Sequence, residues 1–241
     1  MAVSIWASLA DTVDNPKAAQ RDAAPLAIEM VEIRDEGIPP FRLAKFETTW
    51  AQYMASVREG ACPMPQNGLH RPIVASDASL ADDYPVTGIT TPAMDCYIAW
   101  LNRRSGKRYR LPTPAEWRAA AAHAPAAPRR LDSVARSRGA SETASDPREA
   151  VRGGIVWRVG QGDPTPDGVF DLESNADEFT SARRPGKASD YACRELGPAF
   201  CAEAMIFANP GAEDPNGPRR EIWGFQGYPY IFSGFRLAAD L

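Results

Sequence analysis

The segment RYRLPTPAEWRAAA, residues 108–121, combines a strand-like end, two prolines, a helix start and a tryptophan. In its first half, Tyr109 and Leu111 alternate with arginines, and this alternation predicts a short strand. The second half, after Pro112-Thr113-Pro114, has the composition of a helix. The segment therefore predicts a sharp corner between a strand and a helix.

The start of the helix at this corner has three local signals. Thr113 is predicted to be the N-cap, and Pro114 occupies the first helical position, where its missing N–H costs nothing. Glu116, three residues after Thr113, completes a Thr-x-x-Glu capping box. A cap of this kind stabilises a helix by about 1 kcal/mol. We expect a helix near residues 114–122.

Two further segments have apolar side chains at the i, i+3, i+4, i+7 spacing of one helical face. The spacing predicts helices near residues 49–58 and 92–104, and a glycine follows each segment as a stop signal. The apolar positions are Trp50, Tyr53, Met54 and Val57 in the first helix, and Met94, Tyr97, Ile98 and Leu101 in the second. Alternation upstream of the first helix predicts two short strands, and Ile155 to Val159 predicts another.

Composition excludes several classes of protein. The 241 residues carry a net charge of −4, which disfavours a nucleic-acid or anionic-membrane partner. No apolar run has the length of a membrane span, and the N-terminus lacks the pattern of a signal peptide. We therefore expect a cytoplasmic protein whose four cysteines are thiols or metal ligands. With two histidines, a three-histidine metal site is impossible.

The chain divides into an arm and one domain. Residues 1–25 are polar and alanine-rich and are interpreted as an N-terminal arm. Residues 26–241 are interpreted as a single domain. Within it, residues 123–150 are rich in Ala, Pro, Arg and Ser without apolar periodicity, which predicts a mobile insertion.

Several segments, in this order, resemble motifs of the formylglycine-generating enzyme (sulfatase-modifying factor) family. They are FRLAKFETTWAQYMASV, YPVTGITTPAMDCYIAWLNRRSGKRYRLPTPAEWRAAA, DGVFDLESNADEF and GFRLA, which together fall within residues 38–241. The resemblance implies an α+β fold of the irregular C-type-lectin-like kind, with few short strands and about three helices. The chain departs from the family at Asp177 and Phe179, where tryptophans are usual, and its RGGS strand motif has no clean match.

The resemblance also implies a catalytic site. Enzymes of this family use two cysteines to hold monovalent copper and activate oxygen on a substrate cysteine, and soft thiolates favour that ion. The matching residues here are Cys193 and Cys201, with Ser189 and Tyr191 on the substrate side. Seven residues separate these cysteines, whereas four separate the family's pair. The alternative is two thiols that fill space in the fold.

Two other segments are candidate binding sites. Asn175, Ala176 and Glu178 match a family segment whose oxygens can bind calcium, and hard oxygen ligands suit that ion; the alternative is a solvated acidic turn. The C-terminal aromatic residues are candidates for binding a partner, because such side chains anchor interfaces; the alternative is core packing. These aromatic residues are Trp223, Phe225, Tyr228 and Tyr230.

The sequence leaves two functions open. One is a non-catalytic binding or accessory module that uses the scaffold to hold a protein or peptide, since a fold does not fix a function. The other is a copper- or thiol-dependent oxidase that acts on a cysteine-containing peptide or a small thiol. The altered cysteine spacing and the lost strand motif favour the first. Calcium is the expected cofactor, and copper is expected only if Cys193 and Cys201 converge.

Overall fold

The structure is a computed structural model that describes residues 27–66, 82–124, 156–186, 191–208 and 219–241. The predicted N-terminal arm, residues 1–25, lies outside these ranges. So does most of the predicted mobile insertion, from residue 125 onward.

The three predicted helices are confirmed to within about two residues at each end. They are α1 (Trp50–Arg58), α2 (Thr91–Ser105) and α3 (Pro114–Ala121), and a short α4 (Tyr191–Leu196) precedes a single 3₁₀ turn at Pro198–Phe200. The N-caps of α1, α2 and α3 are Thr49, Thr90 and Thr113, and the last of these is the cap that the sequence predicted. Of the helices in the described ranges, none combines the length and the hydropathy that crossing a bilayer requires.

The strands form two four-stranded sheets. They are β1 (Met30–Ile33), β2 (Phe41–Ala44), β3 (Tyr109–Arg110), β4 (Asp177–Pro185), β5 (Ala202–Ala208), β6 (Arg220–Phe225), β7 (Ser233–Phe235) and β8 (Ala238–Asp240). The first sheet has the order β1-β2-β8-β3 and is antiparallel throughout. The second has the order β6-β5-β4-β7, and β4 and β7 are its parallel pair. The fold is therefore α+β, as predicted.

The core lies on both sides of the first sheet. One cluster joins α1 and α2 to the inner face of the second sheet and includes Tyr53, Tyr97, Ile206 and Phe235. The other packs α3 against the opposite face of the first sheet. Trp117 of α3 stacks on a phenylalanine of β5, Phe207, with ring centroids 3.9 Å apart. The Trp117 side chain of α3 thus contacts both the first sheet and the second sheet.

The corner at residues 108–121 is tied to the end of the chain. Thr113 and Glu116 form the predicted capping box, with the Glu116 carboxylate accepting from the Thr113 N–H at 2.7 Å. Arg110 donates two hydrogen bonds to the same carboxylate, at 2.7 and 2.6 Å, and one of 2.7 Å to Asp240 of β8. Burial opposes ionisation of Glu116, but these bonds outweigh it and hold its pKa below the ordinary value. The prolines and the capping residues of this segment therefore position Arg110 and Glu116 for their contact with β8.

The strand predicted for Ile155 to Val159 is wrong. Residues 156–159 lie outside any strand, and Ile155 lies outside the described residues. The amide side chain of Asn175 accepts from the Trp157 N–H at 2.8 Å and donates to the Trp157 carbonyl at 3.1 Å. A single side chain therefore satisfies the backbone groups that a neighbouring strand would otherwise bond.

The four cysteines form two disulfides, so the expectation of thiols is wrong. Cys62, just after α1, bonds Cys96 in α2, with a Cα–Cα distance of 5.8 Å. Cys193 in α4 bonds Cys201, with a Cα–Cα distance of 4.5 Å. The first disulfide closes a span of 34 residues and clamps α1 to α2. One ground for the predicted cytoplasmic location is thereby lost.

Candidate functional site

The resemblance motifs meet at a buried ion pair and not at a cleft. Glu178 of β4 and Arg236, which follows β7, are both fully buried and joined by bonds of 2.7 and 2.5 Å. The indole N–H of Trp117 donates to Glu178 at 2.7 Å. The remaining Arg236 donors reach the carbonyls of Ala44 and Phe170. Residues from the second, third and fourth motifs thus hold one carboxylate and one guanidinium inside the core.

Glu47, from the first motif, belongs to the same buried centre. Its side chain is fully buried, lies 4.0 Å from Arg236, and neither oxygen accepts a hydrogen bond. Burial raises the pKa of Glu47 well above its ordinary value, and the nearby charge of Asp171 adds to this, against the opposing charge of Arg236. Burial at this position therefore favours the neutral form of Glu47 over the carboxylate.

A turn before β4 organises the second part of this centre. Asp171 adopts a left-handed backbone with φ 61°, which Asp tolerates better than most residues. Its carboxylate accepts from the N–H groups of Gly160 and Gly162 at 2.6 and 2.9 Å. A Cβ on Gly162 would lie 2.6 Å from the Asp171 oxygen, so this close approach requires glycine.

The residues predicted to bind calcium do not fit that ion. The Asn175 side chain is committed to the backbone of Trp157. The carbonyl of Ala176 accepts from Arg219 at 2.6 Å, and Glu178 accepts from Arg236 and Trp117. To bind here, calcium would have to displace the buried guanidinium groups of Arg219 and Arg236 from the oxygens of Ala176 and Glu178.

These three residues use their oxygens in hydrogen bonds within the protein, an arrangement that does not fit calcium, and the calcium assignment stays a prediction. Within the described ranges, no group of three or more His, Cys, Asp or Glu side chains is arranged to hold a metal ion. The fully buried side chain of Arg219 donates to the carbonyls of Ser174, Ala176 and Phe207.

Cys193 and Cys201 do converge, as the copper prediction requires, but as a disulfide. Disulfide sulfurs lack the thiolate charge that binds monovalent copper, so the pair does not fit the ion in this form. Of the two residues predicted beside it, Ser189 lies outside the described residues. Tyr191 begins α4, and its side chain is also outside the described part of the chain. Their catalytic role remains a prediction.

The predicted aromatic surface divides between two faces of the second sheet. Register pairs Trp223 with Met205 and Phe225 with Glu203, and paired residues share a face. These four residues are partly exposed on the outer face, where the Arg184 guanidinium lies 4.3 Å from the Trp223 ring centroid. We call these five residues the outer patch. At the opposite end of the same face, Phe207 is buried beneath α3.

Tyr228 and Tyr230 lie elsewhere. Tyr230 packs against the core cluster, with its ring 6.1 Å from that of Phe179, and its hydroxyl accepts from the Phe225 N–H at 2.9 Å. Tyr228 lies beside it, with ring centroids 4.7 Å apart. For Tyr230 the alternative of core packing is therefore correct. Trp223 and Phe225 keep the position that the binding prediction needs.

Comparison with known proteins establishes the class. The family model described as the sulfatase-modifying factor enzyme 1-like domain matches residues 19–182. The chain belongs to this family, and the resemblance inferred from its motifs is confirmed. No curated protein sequence matches the chain significantly.

Solved structures share the fold at low identity. The crystal structure of CarF is 14% identical with a TM-score of 0.54, and the match covers 90% of this chain and 99% of CarF. PvdO from Pseudomonas aeruginosa is 17% identical with a TM-score of 0.51, covering 89% of this chain and 92% of PvdO. Treponema denticola variable protein 1 is 15% identical with a TM-score of 0.52, covering 89% of this chain and 93% of that protein. These likenesses extend to the fold alone.

Sequence reasoning missed Arg184, Glu203 and Met205 as members of the outer patch. Alternation along β5 was the available signal, because Glu203 and Met205 have the spacing of one strand face. The β4–β5 and β5–β6 registers, which bring Arg184 and Trp223 alongside, depend on long-range pairing that a single sequence does not display.

Proposed function

We propose that this protein is a non-catalytic binding module and that the outer patch holds its partner, a protein or peptide. The observation that carries the proposal is the partly exposed Trp223, which pairs with Met205 and is covered by the Arg184 guanidinium on the outer face of the second sheet. Tryptophan and arginine dominate binding energy at protein interfaces. The patch offers both on a single rigid sheet.

The patch is organised before any partner arrives. Arg184 donates to the Glu203 carboxylate at 2.5 Å and simultaneously covers the Trp223 ring. An arginine fixed in this way loses less side-chain entropy when it is buried in an interface. The Arg184 guanidinium packs on the face of the Trp223 indole and so fixes its orientation before a partner binds.

The disulfide adds rigidity to the edge of the patch. Cys201 immediately precedes β5, and its carbonyl accepts from the Gly186 N–H, after β4, at 2.6 Å. Phe200, beside the disulfide, packs edge-on against Phe225 with centroids 6.2 Å apart. The disulfide thus stabilises the loop next to the aromatic residues. This is a structural role for two cysteines to which the family resemblance assigns a catalytic one.

A site-specific photo-crosslinker tests this proposal. The residue p-benzoylphenylalanine replaces Met205 in the patch, or Ile38, which is partly exposed between β1 and β2, and the protein is irradiated in cells of its source. We expect a crosslinked protein or peptide from position 205 and none from position 38. Excess wild-type protein should suppress the crosslink, and excess Trp223→Ala protein should not. Equal suppression by both competitors would refute the role of the patch.

The convergence of Cys193 and Cys201 favours a second candidate function, the thiol-dependent oxidase. That function would require the disulfide to be reduced first, since only the two thiolates could hold monovalent copper. Substitution of Cys201 would then abolish copper binding. The same change would keep the five side chains of the outer patch and only loosen the loop beside them, so partner capture should weaken but persist while copper binding is lost.

We also propose that the protein works in an oxidising compartment and not in the cytoplasm. Two disulfides in one domain are typical of such compartments, because cytosolic thiol systems keep cysteines reduced. Alkylation of thiols in intact source cells, followed by reduction and a second label, tests this. All four cysteines should carry the second label. Four cysteines carrying the first label would restore the cytoplasmic prediction.

A further inference from the structure

A groove on the first sheet lies apart from the outer patch. Its volume is about 540 Å³, within the range of small-molecule sites. Register places Arg42, Ala239 and Tyr109 side by side across β2, β8 and β3. A small alanine side chain between two long ones leaves a trough along β8. The groove is lined by Ile28, Met30, Arg42, Gly106, Lys107, Arg108, Tyr109, Ala239, Asp240 and Leu241.

The charge of the groove is positive. Arg42, Lys107 and Arg108 form no ion pair with any residue that the structure describes, although Lys107 lies 5.9 Å from the Tyr109 ring centroid. Asp240 is the acidic side chain of the lining, and it is already bonded to Arg110. Arg110 in turn is shared with Glu116. Arg110 and, more weakly, Arg108 hold the pKa of Asp240 below its ordinary value. The lining therefore carries three cations against one carboxylate, and its charge stays positive.

Apolar side chains contribute part of the floor of the groove, whose lining as a whole exposes more polar than apolar surface. Ile28 and Met30 are half-buried beside β2, Ala239 is partly buried between strands, and the Tyr109 ring is buried to 4% exposure. Leu241 remains 51% exposed at the open end. A trough with apolar side chains on its floor and cations on its rim complements a molecule with a short apolar body and one negative end.

We propose that this groove binds a small amphipathic carboxylate, with its apolar body along Ala239 and its carboxylate among Arg42, Lys107 and Arg108. The proposal is independent of the outer patch, because the groove lies on the other sheet. It assigns a role to a set of cations that the fold leaves without ionic partners among the described residues.

Saturated carboxylates of increasing length test the proposal on the full chain. Octanoate and decanoate are titrated into ¹⁵N-labelled protein, with decylammonium as the oppositely charged control. Decanoate should shift the amide signals of Gly106, Ala239 and Leu241 and should bind more tightly than octanoate, by about fourfold for each methylene that is buried. Decylammonium should shift none of them.

Variants separate the groove from general surface charge. The double variant Arg42→Gln/Arg108→Gln should weaken decanoate binding about five- to tenfold. Ala239→Leu should fill the trough and weaken binding without removing a charge. Arg103→Gln is the matched control, because Arg103 is an exposed arginine in the last turn of α2 outside the groove. No decanoate binding, equal decylammonium binding, or equal weakening by Arg103→Gln would each overturn the proposal.

Discussion

Removal of Arg236 should be among the most damaging single changes in the protein. The variant Arg236→Met keeps the apolar stem and removes the guanidinium from Glu178, whose side chain is fully buried. Breaking a buried ion pair from one side costs about 3–5 kcal/mol, because the remaining charge is left without compensation. The carbonyls of Ala44 and Phe170 also lose a donor. A loss of this size is a large part of the 5–15 kcal/mol that is typical of a folded domain.

Urea denaturation followed by tryptophan fluorescence measures this loss. Trp117 reports directly, because its indole N–H is bonded to Glu178. The double variant Glu178→Leu/Arg236→Met should cost about 2–3 kcal/mol less than the sum of the two single changes, since it removes both charges together.

A surface pair provides the control. Arg34 and Glu32 form an ion pair of 2.5 Å, but their side chains are 70% and 42% exposed. Arg34→Met should therefore change the free energy of unfolding by less than about 1 kcal/mol. The reasoning is wrong if Arg236→Met costs no more than Arg34→Met, or if the effects at Glu178 and Arg236 simply add.

Three further stability predictions concern other parts of the fold. Cys62→Ser with Cys96→Ser should lower the free energy of unfolding by about 3.8 kcal/mol by loop-closure entropy, measured in urea, and wild-type protein in denaturant should show no titratable thiol. Thr113→Ala should cost about 1 kcal/mol or more in the same assay, because the α3 cap and its capping box are lost. Glu47→Gln should stabilise the protein at pH 8 more than at pH 5. The raised pKa of Glu47 means that its stabilising contribution is present below the unfolded-state pKa and is lost as pH rises through the folded-state value. An unchanged pH profile of the urea midpoint in Glu47→Gln would contradict that assignment.

Local signals in the sequence predicted the helices well. Thr113, Pro114 and Glu116 define the start of α3 through contacts within one turn, so no knowledge of the rest of the fold was needed. The apolar faces of α1 and α2 are likewise properties of neighbouring turns. Such elements depend on interactions that a single sequence displays.

Features formed by distant residues were not predictable in the same way. The Cys62–Cys96 bond joins positions 34 residues apart, and composition favoured thiols. The Asn175 amide replaced the strand predicted at Trp157 through a contact 18 residues away. Glu178 matches a calcium-binding motif, yet the cation that its carboxylate contacts is the Arg236 guanidinium, 58 residues further along the chain. In each case the partner is supplied by the tertiary fold.

Oxygen consumption distinguishes the binding module from the oxidase most directly. Full-length protein is incubated with monovalent copper, dithiothreitol and a cysteine-containing peptide, beside the Cys201→Ser variant, and dissolved oxygen is followed with an electrode. For a binding module we expect the same background rate for both proteins and no change in the mass of the peptide. Stoichiometric copper binding with peptide-dependent oxygen uptake that Cys201→Ser abolishes would contradict it and establish the enzyme.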